Sequence, residues 1–391
     1  MSLGGQRVRV SAALWLLCPL ICLSSDSLRA EGDDGVRTRA ADSSLPDVLT
    51  PSEWERIDHS VDRSLIWLAR QQRSDGSFPT YESGQPAVTA LCILAFLSDG
   101  HLPGEGPYGD AIDAGIDFVL SCQQPEGFIS YMPIPAAHAT NNPAHTGMYN
   151  HAIGGLLLTE VYGMLGKERS SQIRPAVEEA ISVIRTKQLE PKENRLDRGG
   201  WRYIRRYNEI RSDLSVTSWQ LMFCRSAKNA GFDVPAEWID EAMAYVIRSF
   251  DHQQGIFLYA LHGSDRTYSR GMVAAGTLSL SLGGRHDTPM ARAAGNWLLR
   301  HPIVNYMDTV GHLDRFHYSA FYCSQAVLQL GGHYWEFFYP RLVQALLRNQ
   351  SPEGHWQLEG GGDDIFGNAY TTALTVLALT APYQLLPIFQ R

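Results

Sequence analysis

The sequence predicts an all-α protein of about six helical hairpins, with the helices sorted into an inner and an outer ring. Three observations predict it. A phrase of glutamine, glycine and an aromatic recurs along the chain; each copy stands between an amphipathic segment and a more apolar one; and the copies return at intervals of roughly 50 to 65 residues, the period of stacked helical units rather than of an ordinary globular domain. The fullest copy is Gln350-Ser351-Pro352-Glu353-Gly354-His355 followed by Trp356. Gln72-x3-Gly76-x-Phe78 keeps its spacing, and Gln123-x3-Gly127-Phe128, Gly199-Gly200-Trp201 and Gln253-Gln254-Gly255-x-Phe257 keep it in part. A sixth unit, around Arg300 to Tyr318, has lost the phrase.

From the N-terminus, Arg7 and Arg9 precede an apolar run from Ala12 to Leu23, followed by small and polar residues to Ala30. That is the layout of a secretory signal, and its run is too short to span a bilayer. The mature protein is therefore expected to be exported, periplasmic or extracellular. Residues 31–50 are acidic and small, without periodicity, and read as a flexible lead-in. The helical region is then 51–391. Ser52-x-x-Glu55 has the form of a capping box and is expected to open the first helix, whose stripe is Ile57, Val61, Leu65 and Leu68. Segments near 109–122, 173–189, 236–250, 288–300 and 335–349 likewise show one face to water. Segments 86–98, 147–164, 213–230, 269–283, 317–331 and 369–380 are apolar all round and must be enclosed. Gly100, Gly231, Gly283 and Gly331 follow four of these, where a left-handed residue can close a helix.

The chain has 391 residues, 44% of them hydrophobic, and a net charge of −8. A sizeable core is available, and nucleic acid is a poor partner for so acidic a protein. Cys92, Cys122, Cys224 and Cys323 fall in or at the end of apolar helices and read as buried thiols. Neither a cofactor nor a metal is expected.

Six such helix pairs punctuated by Gln-x3-Gly-x-Trp resemble the superfamily of squalene cyclases and protein prenyltransferase β-subunits. The likeness covers about residues 53 to 391 and implies an α/α toroid with a central cavity. In that family the Gln-Trp phrases are structural. The cyclases protonate an alkene with the middle acid of an Asp-x-Asp-Asp-Thr phrase; the best counterpart is Asp213-Leu214-Ser215-Val216-Thr217, which has serine in the acid's place. The zinc-binding Asp-x-Cys pair of the prenyltransferases is missing, and His317 and Cys323 are six residues apart, which does not set them on one helix face.

In a closed ring the inner helices run the same way, so their N-termini converge at one mouth, where backbone donors favour negative charge. Asp213 and His151 are the catalytic candidates there. Substrate-binding candidates are Trp201, Tyr203, Arg206, Arg270, His317, Tyr318, Tyr322 and Tyr370. Plainer readings stand beside these: Asp213 as an N-cap, His151 as a satisfied buried imidazole, the tyrosines as core, and Asp363 and Asp364 as solvated turn residues. Between Arg195 and Arg211, Arg198, Arg202, Arg205 and Arg206 interleave with Trp201, Tyr203 and Tyr207, which suits an anionic group or a solvated strip equally. The leading functional expectation is an exported, terpenoid-cyclase-like toroid that binds, and in one version transforms, an isoprenoid or other apolar or anionic-headed small molecule. Peripheral membrane contact is compatible with it, and no protein partner is indicated. A non-catalytic scaffold and a polysaccharide-acting enzyme are the alternatives.

Overall fold

The computed structural model describes residues 48–133, 142–204, 211–360 and 362–390. The signal segment, nearly all of the lead-in, and Arg205, Arg206, Tyr207 and Glu209 lie outside the described residues. Helices α1 (Pro51–Gln71), α3 (Gly109–Ser121), α5 (Lys167–Leu189), α7 (Ala236–Arg248), α9 (Pro289–Arg300) and α11 (Gly332–Leu347) form an outer ring. They alternate along the chain with α2 (Ala87–Ser98), α4 (Asn142–Tyr162), α6 (Leu214–Asn229), α8 (Arg270–Leu282), α10 (Phe316–Leu330) and α12 (Gly367–Leu379). These six inner helices pack each on the next, and α12 packs back on α2, so the ring closes. A short antiparallel pair, β1 (Phe250–Asp251) and β2 (Ile256–Phe257), decorates one loop.

The two rings have the expected burial. All twelve residues of α2 are buried, whereas α1 buries a stripe that includes Ile57, Val61, Leu65 and Leu68. The capping box of α1 is not the one read from sequence. Thr50 is the N-cap and accepts from Glu53 N, Glu53 answers the Thr50 amide at 2.8 Å, and Pro51 fills the first helical position. The box starts two residues earlier because proline is well tolerated at N1, where its missing N–H costs nothing. At the end of α8 it is Gly284, at φ +71°, that turns left-handed, while Gly283 stays at φ −85°.

The recurring phrase is a joint between neighbouring units. Gln72 Nε2 donates to Gly76 O of its own turn (3.0 Å) and to Ala111 O of the next outer helix (2.8 Å). Gln123 repeats this with Gly127 O and Ala176 O. Gln188, whose place in the phrase is masked by a longer insertion, repeats it with Gly199 O and Trp238 O. The glycine is required on two counts. Gly76, for example, sits at φ +88°, and a Cβ there would lie 2.1 Å from Ala114 O. The aromatic amide is then taken by the following inner helix: Phe78 N by Thr89 Oγ1, Trp201 N by Thr217 Oγ1 and Trp356 N by Thr372 Oγ1.

Inner helices α4 and α6 approach closely where Gly155 admits the ring of Phe223. A Cβ on Gly155 would fall 2.2 Å from Phe223 Cε1. Gly155→Ala should therefore destabilise the fold by about 1–3 kcal/mol, read as a lowered urea midpoint with an unchanged denaturant slope.

After α12 the chain crosses the end of the ring that holds the inner-helix C-termini. Gln329 Nε2 of α10 donates to Phe389 O at 2.9 Å, and Ile388 N donates to Glu160 Oε2 of α4 at 3.2 Å. Above this tail Phe321 stacks on Trp219 with centroids 5.6 Å apart and meets Phe389 at 5.9 Å. These contacts fill the far end of the ring, and the main cavity is lined at the end that holds the helix N-termini.

Candidate functional site

That end holds a cavity of about 910 Å³. Its wall divides by chemistry. Ala87, Val88 and Leu91 of α2, Met148 and Ile153 of α4 and Met272 of α8 give an apolar side. A hydroxyl line comes from three inner helices: Tyr149 Oη donates to Ser215 Oγ (2.8 Å), which also bonds Tyr318 Oη (2.9 Å). The loop before α6 and its neighbours add charge. Arg202 donates from Nη2 to Asp265 Oδ2 at 2.7 Å and lies over the rings of Tyr203 and Tyr259, whose hydroxyls touch. Lys187 pairs with Glu190 at 2.8 Å and Arg315 with Asp363 at 3.1 Å. Lys192 also lines the cavity and has no hydrogen bond or ion pair among the described residues. Burial there pushes its ammonium down to about 8, although Glu190, Asp197 and Asp213 pull the other way.

Of the residues expected at the site, Trp201, Tyr203, Tyr318 and Tyr370 are on the wall. Asp213, His151, Arg270, His317 and Tyr322 lie outside it, and Arg206 is outside the described residues. Asp213 is the N-cap of α6: Oδ1 accepts from Val216 N at 2.8 Å, and the side chain is fully buried behind Arg202, whose Nε stands 3.9 Å from Oδ2. Oδ2 has no hydrogen bond, and burial, only partly offset by Arg202, raises the carboxyl to about 6.

His151 belongs to the repeat joints. Its Nδ1 accepts from Ile129 N at 3.0 Å, the task threonine performs in three other units, and its Nε2 meets Ala180 O at 3.1 Å. Burial holds it neutral, down to about 4. His317 is fixed by Glu359 (3.1 Å) and Tyr306 (3.2 Å), and the buried Arg270 points outward to Asp308 (3.1 Å). Tyr322 packs behind Tyr318 with its ring tilted by 44° and bonds Ser218 Oγ at 3.0 Å.

Three of the convergent helix N-termini already hold an acid of the chain. Asp213 caps α6, Asp314 Oδ1 accepts from Gly271 N of α8 at 3.2 Å, and Glu359 takes the amides of Phe316 and His317 at the head of α10. At those three heads the chain has supplied the negative charge itself. Asp363 also departs from its expected role as a solvated turn residue. It lines the cavity, and its carboxyl is raised to about 6 by burial, opposed by Arg315.

Lys192, Tyr259, Asp265 and Arg315 were not singled out from sequence. None sits in a motif, and each reaches the cavity through a loop whose path only the closed ring defines. Among the described residues no three His, Cys, Asp or Glu side chains converge as a metal site, and no helix is long and apolar enough to cross a membrane. Cys92, Cys122, Cys224 and Cys323 are free and buried.

No family model matches the chain, and no curated protein matches it. Solved structures of similar fold are found. The type II terpene cyclase MstE from Scytonema superposes with a TM-score of 0.55 at 16% identity, covering 85% of this chain and 100% of that one. Cellobiose 2-epimerase from Bacillus thermoamylovorans gives 0.61 at 10% identity, with 85% and 99% covered. An inactive variant of an α-1,6-mannanase of Salegentibacter, in complex with α-1,6-mannotetrose, gives 0.59 at 10%, with 84% and 99% covered. The chain thus shares the α/α toroid of terpene cyclases and of sugar-active enzymes, and at these identities the likeness is one of fold.

Proposed function

We propose that this chain is an exported toroid that encloses a small molecule with an apolar body and an oxygenated head. The observation that carries the reading is the two-sided wall of the cavity: aliphatic and thioether side chains from α2, α4 and α8 on one part, and tyrosine hydroxyls with Arg202, Lys192 and Arg315 on another. A pocket of this size with a mostly apolar lining and a few convergent polar groups suits a ligand of isoprenoid dimensions better than a free polysaccharide chain. Among proteins of this fold, the terpene cyclase has been solved with geranylgeranyl dihydroxybenzoate, an isoprenoid tail on an oxygenated ring. Export comes from the N-terminal charge and apolar pattern and is part of the proposal.

Cyclisation started by Asp213 does not follow from this geometry. Protonating an alkene needs a proton within reach of the ligand, and this carboxyl is off the wall with one oxygen committed to a helix amide. The reading is therefore one of binding.

The test is displacement of an environment-sensitive apolar dye by geranylgeraniol. Saturable displacement is expected, with affinity reduced about tenfold or more by Ala87→Trp, which fills the apolar side; each tenfold corresponds to about 1.4 kcal/mol. A protein that ignores geranylgeraniol, or that instead binds mannan-type oligosaccharides, would overturn the reading.

A further inference from the structure

We propose that Lys192 is a covalent binding residue, its amine condensing with a carbonyl group on the head of the enclosed ligand to form an imine. This rests on the cavity reading above and names the chemistry of the head. The chain contains four lysines, Lys167, Lys187, Lys192 and Lys228, and two of them are on this one wall. Their circumstances differ. Lys187 is ion-paired with Glu190 at 2.8 Å, and Lys228 is spent on Val234 O at 3.1 Å. Lys167 begins α5 on the outer ring, away from the cavity. Lys192 lines the cavity, and its amine is unengaged among the described residues.

Three other cations of the wall are held by acids, Lys187 by Glu190, Arg202 by Asp265 and Arg315 by Asp363, whereas Lys192 has no ion pair among the described residues and its amine can add to a neutral aldehyde or ketone. Desolvation also favours the neutral amine, which is the nucleophilic form, as in lysines activated by an apolar surrounding.

The step balances without a further reagent. The amine lone pair attacks the carbonyl carbon, a C–N bond forms as the C=O π bond opens, and a proton passes from nitrogen to oxygen. Loss of water then closes the C=N bond. Glu190 is on the same wall as a carboxyl that can carry protons between nitrogen, oxygen and water.

The experiment is reductive trapping on the full chain at pH 7, with decanal as the probe and cyanoborohydride as the reductant, followed by peptide mass mapping. The label is expected on Lys192 before the other three lysines. A depressed lysine near 8 offers a neutral-amine fraction roughly two orders of magnitude above that of an ordinary lysine. Lys192→Arg and Lys192→Gln should each abolish the label, while Lys167→Arg, on the outer ring and away from the cavity, should keep it. Labelling led by Lys167, or undiminished in both Lys192 variants, overturns the proposal. If decanol displaces the dye but decanal leaves Lys192 unmodified, covalent capture fails and cavity binding stands. If decanol displaces nothing, the cavity reading fails with it.

Discussion

Gln350→Ala should destabilise the protein more than the same change at any other repeat glutamine, by about 3–4 kcal/mol against about 2 kcal/mol at Gln72, Gln123 or Gln188. The latter three each donate from Nε2 to one glycine carbonyl and one carbonyl of the next outer helix. Gln350 does this with Gly354 O (3.0 Å) and Ser60 O (2.8 Å), and its Nε2 also reaches Ser64 Oγ at 2.9 Å. Its Oε1 accepts from Ser60 Oγ at 2.9 Å and from Arg63. All of these partners except Gly354 belong to α1, so this one side chain bolts the last unit to the first. Alanine leaves several part-buried donors and acceptors without partners at the seam, where no later unit can compensate. Urea titration of the four single variants checks it, and equal midpoint shifts across the four would show that the closing joint is no stronger than the others.

The same joint explains why the fold was legible in the sequence and the site was less so. A repeated phrase must satisfy the same backbone groups in every unit, so its spacing survives as pattern; Gln72 and Gln350, some 280 residues apart, keep the same glycine and aromatic offsets. Even the misses follow rules. Gln188 was invisible because eleven residues, not four, separate it from Gly199. His151 looked like chemistry because a histidine in one unit performs the backbone-accepting task of threonine in three others.

The cavity is different. Trp201, Tyr203, Tyr318 and Tyr370 were within reach because they stand at the heads of inner helices or in an arginine-rich loop. Lys192, Asp265 and Arg315 come from three loops without periodicity, and only ring closure brings them to one wall. Of the acids at helix heads, Asp213 could be read from sequence as an N-cap, while Asp314 and Glu359 reach backbone amides only through the turns that carry them.

Glu160→Gln should remove most of the protein's loss of stability across neutral pH. Glu160 lies on α4, buried, where Ser226 Oγ and Ile388 N both donate to it and so tie the C-terminal tail across the closed end of the ring. Burial, outweighing those donors, raises its carboxyl from the ordinary 4.5 to about 7. The folded chain therefore keeps a proton that the unfolded chain has released between about pH 4.5 and 7. Stability must fall as pH rises through that window, and the shift corresponds to about 3 kcal/mol once pH passes 7. Asp213 and Asp363, both raised to about 6, add slopes of the same sign. His151 opposes them. Burial depresses it from 6.5 to about 4, so its share is present above about pH 6.5 and is lost as pH falls toward 4. In the wild-type chain the acids outweigh the histidine and stability should decline from pH 5 to 8. Glutamine keeps an acceptor for the Ile388 amide but cannot ionise, so the variant should gain about 3 kcal/mol on the wild type between those pH values and leave the histidine's rising slope more exposed. Unfolding free energies of both proteins at pH 5 and 8 decide it: parallel profiles would mean that Glu160 does not hold its proton in the fold, and that water or another cation reaches the tail junction.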